Sequence, residues 1–422
     1  MRIVFINTCD VIGGAAIAAF RLNKGLERYF GTENYTIVGQ KNSTDPAVFG
    51  TRSHRSQAMA MFKTTAEYMV DKSFNKLGLQ YRWLPFSSRF ILKKVKALNP
   101  DIISLHNTHG GYFKTSLLKK LSQMAPIAWT LHDMWSFTAN ASHTFGDTSW
   151  KRMKSGKGEK DIYPRIGIDT GRFLLKQKRR IYEKSDIHLI VPSNWLYGLA
   201  KESPVFRDKK ISHIFHGIDL AKFHHKDKIS CRRTLGLEED ARILIFSSAS
   251  DLSLSQWKGG PVLIEILTAI NAMTAQPIDI LLLGKGELMT QGEWNNLRIH
   301  KVGYIPNEDL ISAYLSASDL FINATRAENL SLAMIESIAC GTPCVTFDVG
   351  GCDEVVRNDT SGFLIKPFDS KDFAAKTLDL LENTANLENL SRASRIWAEK
   401  HFSLTDMVTN YHDLFRSLLS DR

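Results

Sequence analysis

The feature that most restricts the fold of this sequence is a regular alternation of short apolar strands with longer amphipathic helices. In the first half the clearest strand-like runs are residues 2–7, 35–40, 101–107, 127–133 and 187–193. In the second half they are residues 242–248, 278–284, 299–305, 319–324 and 344–349. Helical periodicity fills the intervals, for example at 261–273 and 307–318. This alternation predicts parallel sheets covered by helices, which is the doubly wound α/β fold class.

A length of 422 residues predicts two domains of about 200 residues each. The alternation breaks near 193–220, so we expect an N-terminal Rossmann-like domain over 1–200 and a C-terminal one over 201–399. We expect the helical residues at about 400–422 to pack back on the N-terminal domain. Residues 139–170 are rich in Gly, Ser and Lys and lack periodicity, which predicts a long functional loop or a partly disordered one.

Composition excludes several classes of protein. The sequence contains no run of about 18 apolar residues, so we expect no membrane-spanning helix. The first residues, MRIVFINTCDVIGG, are too polar for a signal peptide and are typical of a first strand. Five cysteines without Cys-x-x-Cys spacing argue against a disulfide framework and a structural zinc site. We therefore expect a cytoplasmic protein with reduced thiols.

The charge is unevenly distributed along the chain. Residues 1–192 contain 30 Lys and Arg against 14 Asp and Glu, a net charge of +16, whereas the remainder has 24 basic and 30 acidic residues, a net charge of −6. A basic half predicts an anionic partner, either a membrane surface, a phosphorylated substrate or a nucleic acid. The alternative is a domain that is merely soluble and basic. Nucleic acid is disfavoured because the basic run 151–160 has no interleaved aromatic residues.

Ligands of open α/β sheets bind beyond the carboxyl ends of the strands, so the residues after each strand are candidates for a site. Gly13 and Gly14 follow the first strand and precede an Ala-rich helix, where a phosphate could approach the backbone. This is no Gly-x-Gly-x-x-Gly fingerprint, which disfavours a nicotinamide enzyme, and a packing role is the alternative. His132 ends a strand where it could face a bound sugar or a departing phosphate, or else be a core histidine.

Two glutamates, Glu328 and Glu336, lie eight residues apart in 326-RAENLSLAMIE-336. Arg326 leads into a helix predicted to begin near Asn329, whose N-terminus carries roughly half a positive charge and suits a diphosphate. Glu328 could then accept hydrogen bonds from a sugar ring. Glu336, about 12 Å further along a helix, could hold a ribose diol. The alternative is two solvated glutamates on a helix face, but the pattern predicts a sugar-nucleotide site.

Lys258, just before the first helix of the second half, could reach a phosphate, although a solvated loop lysine is the alternative. The sequence has no Asp-x-Asp pair and no His/Cys cluster with metal spacing. We therefore expect no metal and no other cofactor, with charge neutralised by Lys258, Arg326 and helix dipoles.

These residues together resemble the retaining family 4 glycosyltransferases. The motifs that carry the resemblance in the second half are LLLGKGEL, VGYIPNEDLISAYLSASDLFINATRAEN, ENLSLAMIE, SIACGTPCVTFDVGGCDEVV and SGFLIKP. In the first half, IGGAAIAAFRL, DIISLHNTHGGYF, WTLHDMWSFT and VPSNWL resemble the branch that builds bacterial surface polysaccharides, such as colanic-acid-type enzymes. The resemblance spans roughly 1–370. It implies two Rossmann-like domains that face a cleft, the GT-B architecture, with the acceptor bound by the N-terminal domain (1–200) and the nucleotide-sugar by the C-terminal domain (201–399).

The resemblance also implies roles for the residues of the Glu-x7-Glu segment. Glu328 would contact the hydroxyls of the transferred sugar. The backbone N–H groups of Asn329, Leu330 and Ser331 would lie on its phosphate side. Glu336 would hold the ribose.

Further donor contacts are implied on both halves of the chain. Lys258 would bind the diphosphate from one domain, and Gly13 and Gly14 would bind it from the other. The backbone near Tyr304 and Ile305 would lie beside the base. Arg326 is expected to neutralise diphosphate charge because of its own charge and position, and not because of the resemblance.

The family moves a hexose from a UDP- or GDP-sugar with retention of anomeric configuration and without metal. The resemblance implies a front-face displacement in which the leaving phosphate helps to deprotonate the acceptor, with His132 beside the sugar. The expected acceptor is a lipid-diphosphate-linked glycan or a saccharide in lipopolysaccharide or exopolysaccharide synthesis. Basic side chains at 151–160 and 176–180 would hold the protein peripherally on an anionic inner membrane surface.

Two features depart from the family pattern. Residues 247–260 contain no arginine before Lys258, and residues 136–160 are basic where relatives often have cysteines. The missing arginine keeps open a catalytically silent scaffold or polyanion-binding protein. A sugar-nucleotide epimerase on the same fold is a further alternative, although the Glu-x7-Glu segment argues against it.

Overall fold

The computed structural model describes residues 1–51, 58–248, 257–284 and 293–421, without the side chains of residues 58–65 and 248. The chain divides into two units. Unit 1 contains Met1–Phe215 and Met407–Arg422, and unit 2 contains His216–Asp406. The division thus lies at 215/216, beyond the boundary expected at 200/201.

A parallel sheet of seven strands forms the centre of unit 1. Its strands are β1 (Arg2–Cys9), β2 (Glu33–Gln40), β3 (Val48–Gly50), β4 (Ile102–Leu105), β5 (Ile127–Thr130), β6 (Ile187–Val191) and β7 (Ile211–His213). Their order is β3-β2-β1-β4-β5-β6-β7, so the winding reverses direction between β1 and β4. Doubly wound sheets bind ligands at such a reversal, beyond the carboxyl ends of the strands.

The helices of unit 1 cover both faces of this sheet. They are α1 (Gly14–Phe30), α2 (Ala58–Lys76), α3 (Pro85–Leu98), α4 (Leu117–Leu121), α5 (Gly171–Glu183) and α6 (Asn194–Glu202). The core contains alternate strand residues such as Val4 and Ile6, with the large rings of Trp129 and Trp150. Burial of these near-continuous apolar runs from both sides explains why the strands form a parallel sheet.

Unit 2 contains a second parallel sheet, of six strands. Its strands are β8 (Arg242–Ser248), β9 (Ile278–Gly284), β10 (Leu297–Gly303), β11 (Leu320–Asn323), β12 (Cys344–Phe347) and β13 (Gly362–Ile365). The order β10-β9-β8-β11-β12-β13 places the reversal between β8 and β11. The predicted α/β class, with two Rossmann-like doubly wound sheets, is confirmed.

The helices of unit 2 are α7 (Lys228–Leu235), α8 (Gly260–Met273), α9 (Glu308–Ala317), α10 (Leu332–Ala339), α11 (Cys352–Val355), α12 (Ser370–Glu382) and α13 (Thr384–His401). Side-chain caps fix several helix starts. Asn307 accepts the backbone N–H of Asp309 at the start of α9, and Asp369 accepts that of Asp372 at the start of α12. Such caps satisfy N–H groups that have no partner inside the helix.

A last helix, α14 (Leu404–Ser420), belongs to unit 1 from Met407 onward. Its buried Tyr411 hydroxyl hydrogen-bonds the Thr130 hydroxyl of β5 at 2.9 Å. Its His412 ring stacks on Phe30 with 3.8 Å between centroids. Helix α14 is therefore part of the structure of unit 1, although it follows unit 2 in the chain.

The structure differs from the sequence-based expectation in two places. The short strands β3, β7 and β13 were not predicted. The helix expected near Asn329 begins instead at Leu332. Residues 139–170 form an irregular segment with single 3₁₀ turns at Ser149–Arg152 and Glu159–Asp161, in keeping with the long loop expected there.

Candidate functional site

Lys258 and Glu328 meet at the reversal point of the six-stranded sheet. Lys258 lies between β8 and α8, and Glu328 lies between β11 and α10. The backbone carbonyl of Trp257 accepts the N–H of Arg326 at 2.7 Å, which joins the two loops. Gly259, with a φ of +72°, approaches so closely that an added Cβ would lie 1.8 Å from the Ala324 carbonyl oxygen. Only glycine permits this approach.

The result is an ion pair between two residues that are far apart in the sequence. The ammonium group of Lys258 lies 2.8 Å from a carboxylate oxygen of Glu328, whose side chain is 13% exposed. Burial lowers the pKa of Lys258, but the Glu328 carboxylate more than offsets that effect, and the net pKa is raised. Lys258 therefore stays charged at neutral pH.

Two glycines, Gly350 and Gly351, pack against the backbone of Glu328. The N–H of Gly351 donates to the Glu328 carbonyl oxygen at 3.2 Å. Gly350 has a φ of +62°, and an added Cβ there would lie 1.8 Å from the same oxygen. The other Glu328 carboxylate oxygen accepts the N–H of Asn329 at 3.1 Å. Glu328 is thus held in position by its own neighbours before any ligand binds.

The start of α10 corrects one sequence-based expectation. Ser331 is the N-cap and its hydroxyl accepts the N–H of Met334, so the prediction of a helix from Asn329 was wrong. Residues 328–331 are not helical because the Asn329 N–H and the Glu328 carbonyl are bonded outside any helix. The spacing of about 12 Å assumed a continuous helix from Glu328 to Glu336 and does not apply.

The remaining predicted residues of unit 2 lie near the same edge of the sheet or on α10. Glu336 is half-buried in the second turn of α10. Tyr304, which is exposed, and Ile305 directly follow the end of β10. Leu330 is buried. Arg326 is exposed, and its guanidinium lies 5.4 Å from the ring centroid of Phe368.

In unit 1 the predicted residues lie beyond β1 and β5. Gly13 has a φ of +95° and precedes α1, which begins at Gly14. A Cβ at either glycine would meet nothing within 4 Å, so packing alone does not require glycine at Gly14. The positive φ at Gly13 does require it.

His132 is half-buried and belongs to a chain of polar contacts. Its Nε2 lies 3.0 Å from Nδ1 of His106, and Nε2 of His106 lies 3.2 Å from the Ser104 hydroxyl. His106 is buried against Phe5, and its carbonyl accepts the indole N–H of Trp129. These polar contacts fix the orientation of the His132 ring, because its Nε2 is already bonded to the buried His106.

A second polar pair lies next to the first. His109 Nε2 lies 2.8 Å from Oδ2 of Asp133, and the backbone N–H of Trp135 donates to Oδ1 of Asp133 at 2.9 Å. His109 follows β4 and Asp133 follows β5, which pair in the sheet. His106, His109 and Asp133 were not among the residues predicted from the sequence. The signal that could have found them is that polar residues follow two adjacent strands in LHNTH and LHD.

The segment after Asp133 is held by buried polar groups. Asn140 Nδ2 donates to the carbonyls of Glu159, Ile162 and Pro164, and the Glu159 carboxylate accepts the N–H groups of Ala139 and Gly156. Lys178 of α5 donates to three carbonyls of the same segment, those of Trp135, Thr138 and Ala139. A segment of irregular backbone is ordered here because these groups satisfy its polar atoms.

The described residues contain no group of three or more His, Cys, Asp and Glu side chains arranged to hold a metal ion. Nor does any helix in the described parts of the chain combine the length and hydropathy needed to cross a membrane.

Comparisons with known proteins agree with this arrangement. Residues 242–383 match the family model described as "Glycosyl transferases group 1". N-acetyl-alpha-D-glucosaminyl L-malate synthase of Bacillus anthracis is 25% identical over 217 residues, which are 51% of this chain and 55% of that protein. The chain spans about half the length of the first curated relatives it matches.

Solved structures match over the whole chain. Sucrose-phosphate synthase from Thermosynechococcus elongatus superposes with a TM-score of 0.72 at 18% identity and covers 100% of both chains. HepE from Anabaena, in complex with UDP-glucose, has a TM-score of 0.63 at 16% identity and covers 99% of this chain and 100% of its own.

The fold is therefore that of the GT-B glycosyltransferases, with two parallel sheets flanked by helices. Within that class, residues 242–383 of unit 2 carry the sequence pattern of the glycosyl transferases group 1, and this segment includes Lys258, Glu328 and Glu336.

Proposed function

We propose that the protein is a retaining, metal-independent hexosyltransferase. It moves a hexose from a UDP- or GDP-sugar to a lipid-linked or saccharide acceptor in bacterial surface-polysaccharide synthesis. The observation that carries this proposal is the pairing of Lys258 with Glu328 at the reversal point of the six-stranded sheet, inside the segment that matches glycosyl transferases group 1. A cation and a carboxylate at one point suit the two ends of a sugar diphosphate.

In this proposal a bound donor replaces the contact between Lys258 and Glu328. Lys258 turns to the diphosphate, and Glu328 accepts hydrogen bonds from hydroxyls of the sugar. The backbone of Asn329, Leu330 and Ser331 lies on the phosphate side. Because the Asn329 N–H already holds the Glu328 carboxylate, this side chain needs little ordering when the donor binds.

The other proposed donor contacts follow from their place in each unit. Glu336 holds the ribose and the backbone at Tyr304 and Ile305 lies beside the base. Arg326 adds positive charge near the diphosphate. In unit 1, Gly13 and Gly14 offer backbone N–H groups at the start of α1, a long helix whose positive end attracts phosphate.

The proposed reaction is a front-face displacement. The bond between the anomeric carbon and the diphosphate oxygen breaks, and the acceptor oxygen bonds to the same face of that carbon. The acceptor proton passes to the departing phosphate oxygen. His132 (of unit 1) lies beside the sugar in this scheme, and the His106 contact holds its ring in position.

A thermal-shift series tests the donor. The ligands are UDP, GDP, UDP-glucose, UDP-galactose, GDP-mannose and GDP-fucose, each with and without EDTA. A ligand at about 100 times its dissociation constant adds about 2.7 kcal/mol to the free energy of unfolding. We expect a shift with one nucleotide class, insensitive to EDTA and lost in Glu336→Ala. The control is Glu388→Ala, which removes an exposed carboxylate from α13 and should keep the shift.

Three outcomes count against parts of the proposal. If no nucleotide sugar raises the melting temperature, the protein is better interpreted as a catalytically silent scaffold or polyanion-binding protein. A shift abolished by EDTA contradicts metal independence. Incubation with the active donor should give a glycosylated product, whereas an isomerised nucleotide sugar would identify an epimerase.

We also propose that unit 1 binds the cytoplasmic surface of an anionic membrane through an apolar-basic face. This face carries large apolar side chains that are between 40% and 55% exposed, namely Leu77, Trp83, Phe86, Ile168 and Phe173. Exposed arginine and lysine residues are interspersed with them at Lys76, Arg82, Arg89, Arg165 and Arg172. Apolar side chains next to basic ones suit the interface of an anionic bilayer.

Hydrogen bonds and a ring contact connect the segments of this face. The N–H of Gly167 donates to the Asn75 carbonyl at 3.0 Å, and the Thr170 hydroxyl donates to the Gly78 carbonyl. The Arg82 guanidinium lies 5.5 Å from the ring centroid of Phe173. The basic runs at 151–160 and 176–180 suit this role less well, because acidic neighbours pair with several of their side chains.

Sedimentation with anionic liposomes at low salt tests membrane binding. We expect the wild type to sediment and the double variant Trp83→Ala/Phe173→Ala to stay largely in the supernatant. Met273→Ala removes a more exposed apolar side chain from unit 2 and should not change sedimentation. Equal sedimentation of all three proteins would contradict a role for the apolar-basic face.

A further inference from the structure

We propose that Asp133 and Tyr163 form a saccharide-binding subsite on unit 1 that recognises hydroxyl groups and one ring face of the acceptor. We call it the Asp133 subsite and define it by Asp133, His109, Trp135 and Tyr163. The inference rests on the proposed function, because it assigns this sugar to the acceptor rather than to the donor.

The carboxylate of Asp133 is fixed but not saturated. It accepts one hydrogen bond from His109 and one from the Trp135 N–H. A carboxylate has about four acceptor positions, so about two of them have no hydrogen-bond donor among the described residues and can accept from ligand hydroxyls. The Asp133 side chain is 24% exposed, which keeps it within reach of solvent and ligand.

His109 determines how Asp133 is held. The ring is buried, and its Nδ1 has no hydrogen-bond partner among the described residues. Because the Asp133 carboxylate can only accept, the Nε2–H of His109 donates to it. Trp135 and Tyr163 enclose the imidazole, with ring centroids 5.7 Å and 5.6 Å away. A carboxylate oriented by a buried neighbour loses little freedom when it binds a ligand.

Tyr163 gives the subsite an aromatic surface beside the carboxylate. Its side chain is 44% exposed, and its ring stands edge-on to His109. Burial raises the pKa of the Tyr163 hydroxyl, and the Asp133 carboxylate raises it further, so the ring stays neutral and presents an uncharged face. A few oriented polar groups beside an aromatic ring are typical of a small-molecule site.

The position in the fold favours the acceptor. The subsite lies beyond the carboxyl ends of β4 and β5, next to the reversal of the seven-stranded sheet. This is where doubly wound sheets bind ligands. The proposed carboxylate contacts of the donor, from Glu328 and Glu336, belong to unit 2, so a separate carboxylate for sugar hydroxyls on unit 1 matches the second substrate.

The test separates acceptor use from donor use. The probes are p-nitrophenyl glycosides of glucose, galactose, N-acetylglucosamine and rhamnose, with the donor found in the thermal-shift series. For Asp133→Asn we expect transfer to the best glycoside to fall at least about tenfold in kcat/KM, because a charged acceptor is lost. Hydrolysis of the donor by water and the nucleotide thermal shift should stay within about twofold of wild type.

Two further variants make the test specific. Tyr163→Ala should raise KM for the glycoside, whereas Tyr163→Phe should leave it unchanged, since the ring face is retained. Asp161→Asn alters an exposed carboxylate of the same segment and should have no effect. If Asp133→Asn lowers hydrolysis and transfer equally, or lowers neither, the subsite is refuted.

Saturation-transfer NMR without nucleotide distinguishes failure of this inference from failure of the proposed function. A glycoside signal that disappears in Asp133→Asn and Tyr163→Ala supports the subsite, even if the protein transfers no sugar from any nucleotide. Absence of a signal with every glycoside, or a signal that both variants retain, overturns it.

Discussion

Replacing Lys178 by methionine is expected to change how the stability of unit 1 depends on pH. Lys178 is 5% exposed, and its ammonium group donates to three backbone carbonyls of the segment that follows Asp133. Burial lowers its pKa from 10.5 to about 7, although the Glu159 and Asp133 carboxylates partly offset that effect. The folded protein therefore binds this proton much more weakly than the unfolded chain does.

The sign of the effect follows from proton binding. Between pH 7 and pH 10.5 the unfolded lysine holds a proton that the folded one has lost, so stability rises with pH in this window. The whole difference corresponds to about 5 kcal/mol, present as destabilisation below pH 7. Between pH 7 and pH 9 the wild type should gain about 2 kcal/mol relative to Lys178→Met.

Urea unfolding followed by tryptophan fluorescence at pH 7, 8 and 9 measures this difference. The comparison with Lys178→Met removes the contributions of all other titrating groups. Lys176→Met, which removes an exposed lysine of the same helix, should run parallel to the wild type. The reasoning is refuted if the free energy of unfolding of the wild type, relative to that of Lys178→Met, stays constant or falls between pH 7 and pH 9.

Three shorter predictions follow from buried contacts. His106→Ala should lower kcat by about tenfold or more while His106→Asn, which keeps a polar group facing His132, should restore much of it, as steady-state kinetics will show. Gly350→Ala should lower the free energy of unfolding by at least about 2 kcal/mol, because the added Cβ collides with the Glu328 carbonyl oxygen and φ is positive. Gly146 also has a positive φ but lies in open space, so Gly146→Ala should lower it by only about 1 kcal/mol. Tyr411→Phe should cost about 1–3 kcal/mol in urea unfolding, since it leaves a buried threonine hydroxyl without its partner.

Strands β1, β8 and β9 were recognised from runs of four consecutive apolar residues, and the other predicted strands from shorter apolar runs between helical segments. Strands β3 and β7 were not predicted because each has only three residues, too few to show a periodicity. They form because they pair with the neighbouring strands β2 and β6. The start of α10 was misplaced because Asn329 and Ser331 are both common N-cap residues. Only the contacts of Glu328 with Gly351 and Asn329 decide between them.

The site was predicted in parts rather than as a whole. Glu328 and Lys258 were each recognised from their place after a strand, but their pairing depends on the adjacency of β8 and β11. The pair of His109 and Asp133 was missed, although both follow strands. Sequence position shows which residues lie at a sheet edge, but the strand order decides which of them meet.

The membership of α14 in unit 1 has a consequence for the timing of folding during synthesis. Residues 1–215 leave the ribosome before His216–Asp406 is made, yet Tyr411 completes the core around Thr130. At about 5–20 residues per second, the intervening segment of about 190 residues takes roughly 10–40 s to synthesise. For that time the nascent unit 1 exposes the apolar surface that Val408 and Tyr411 later cover.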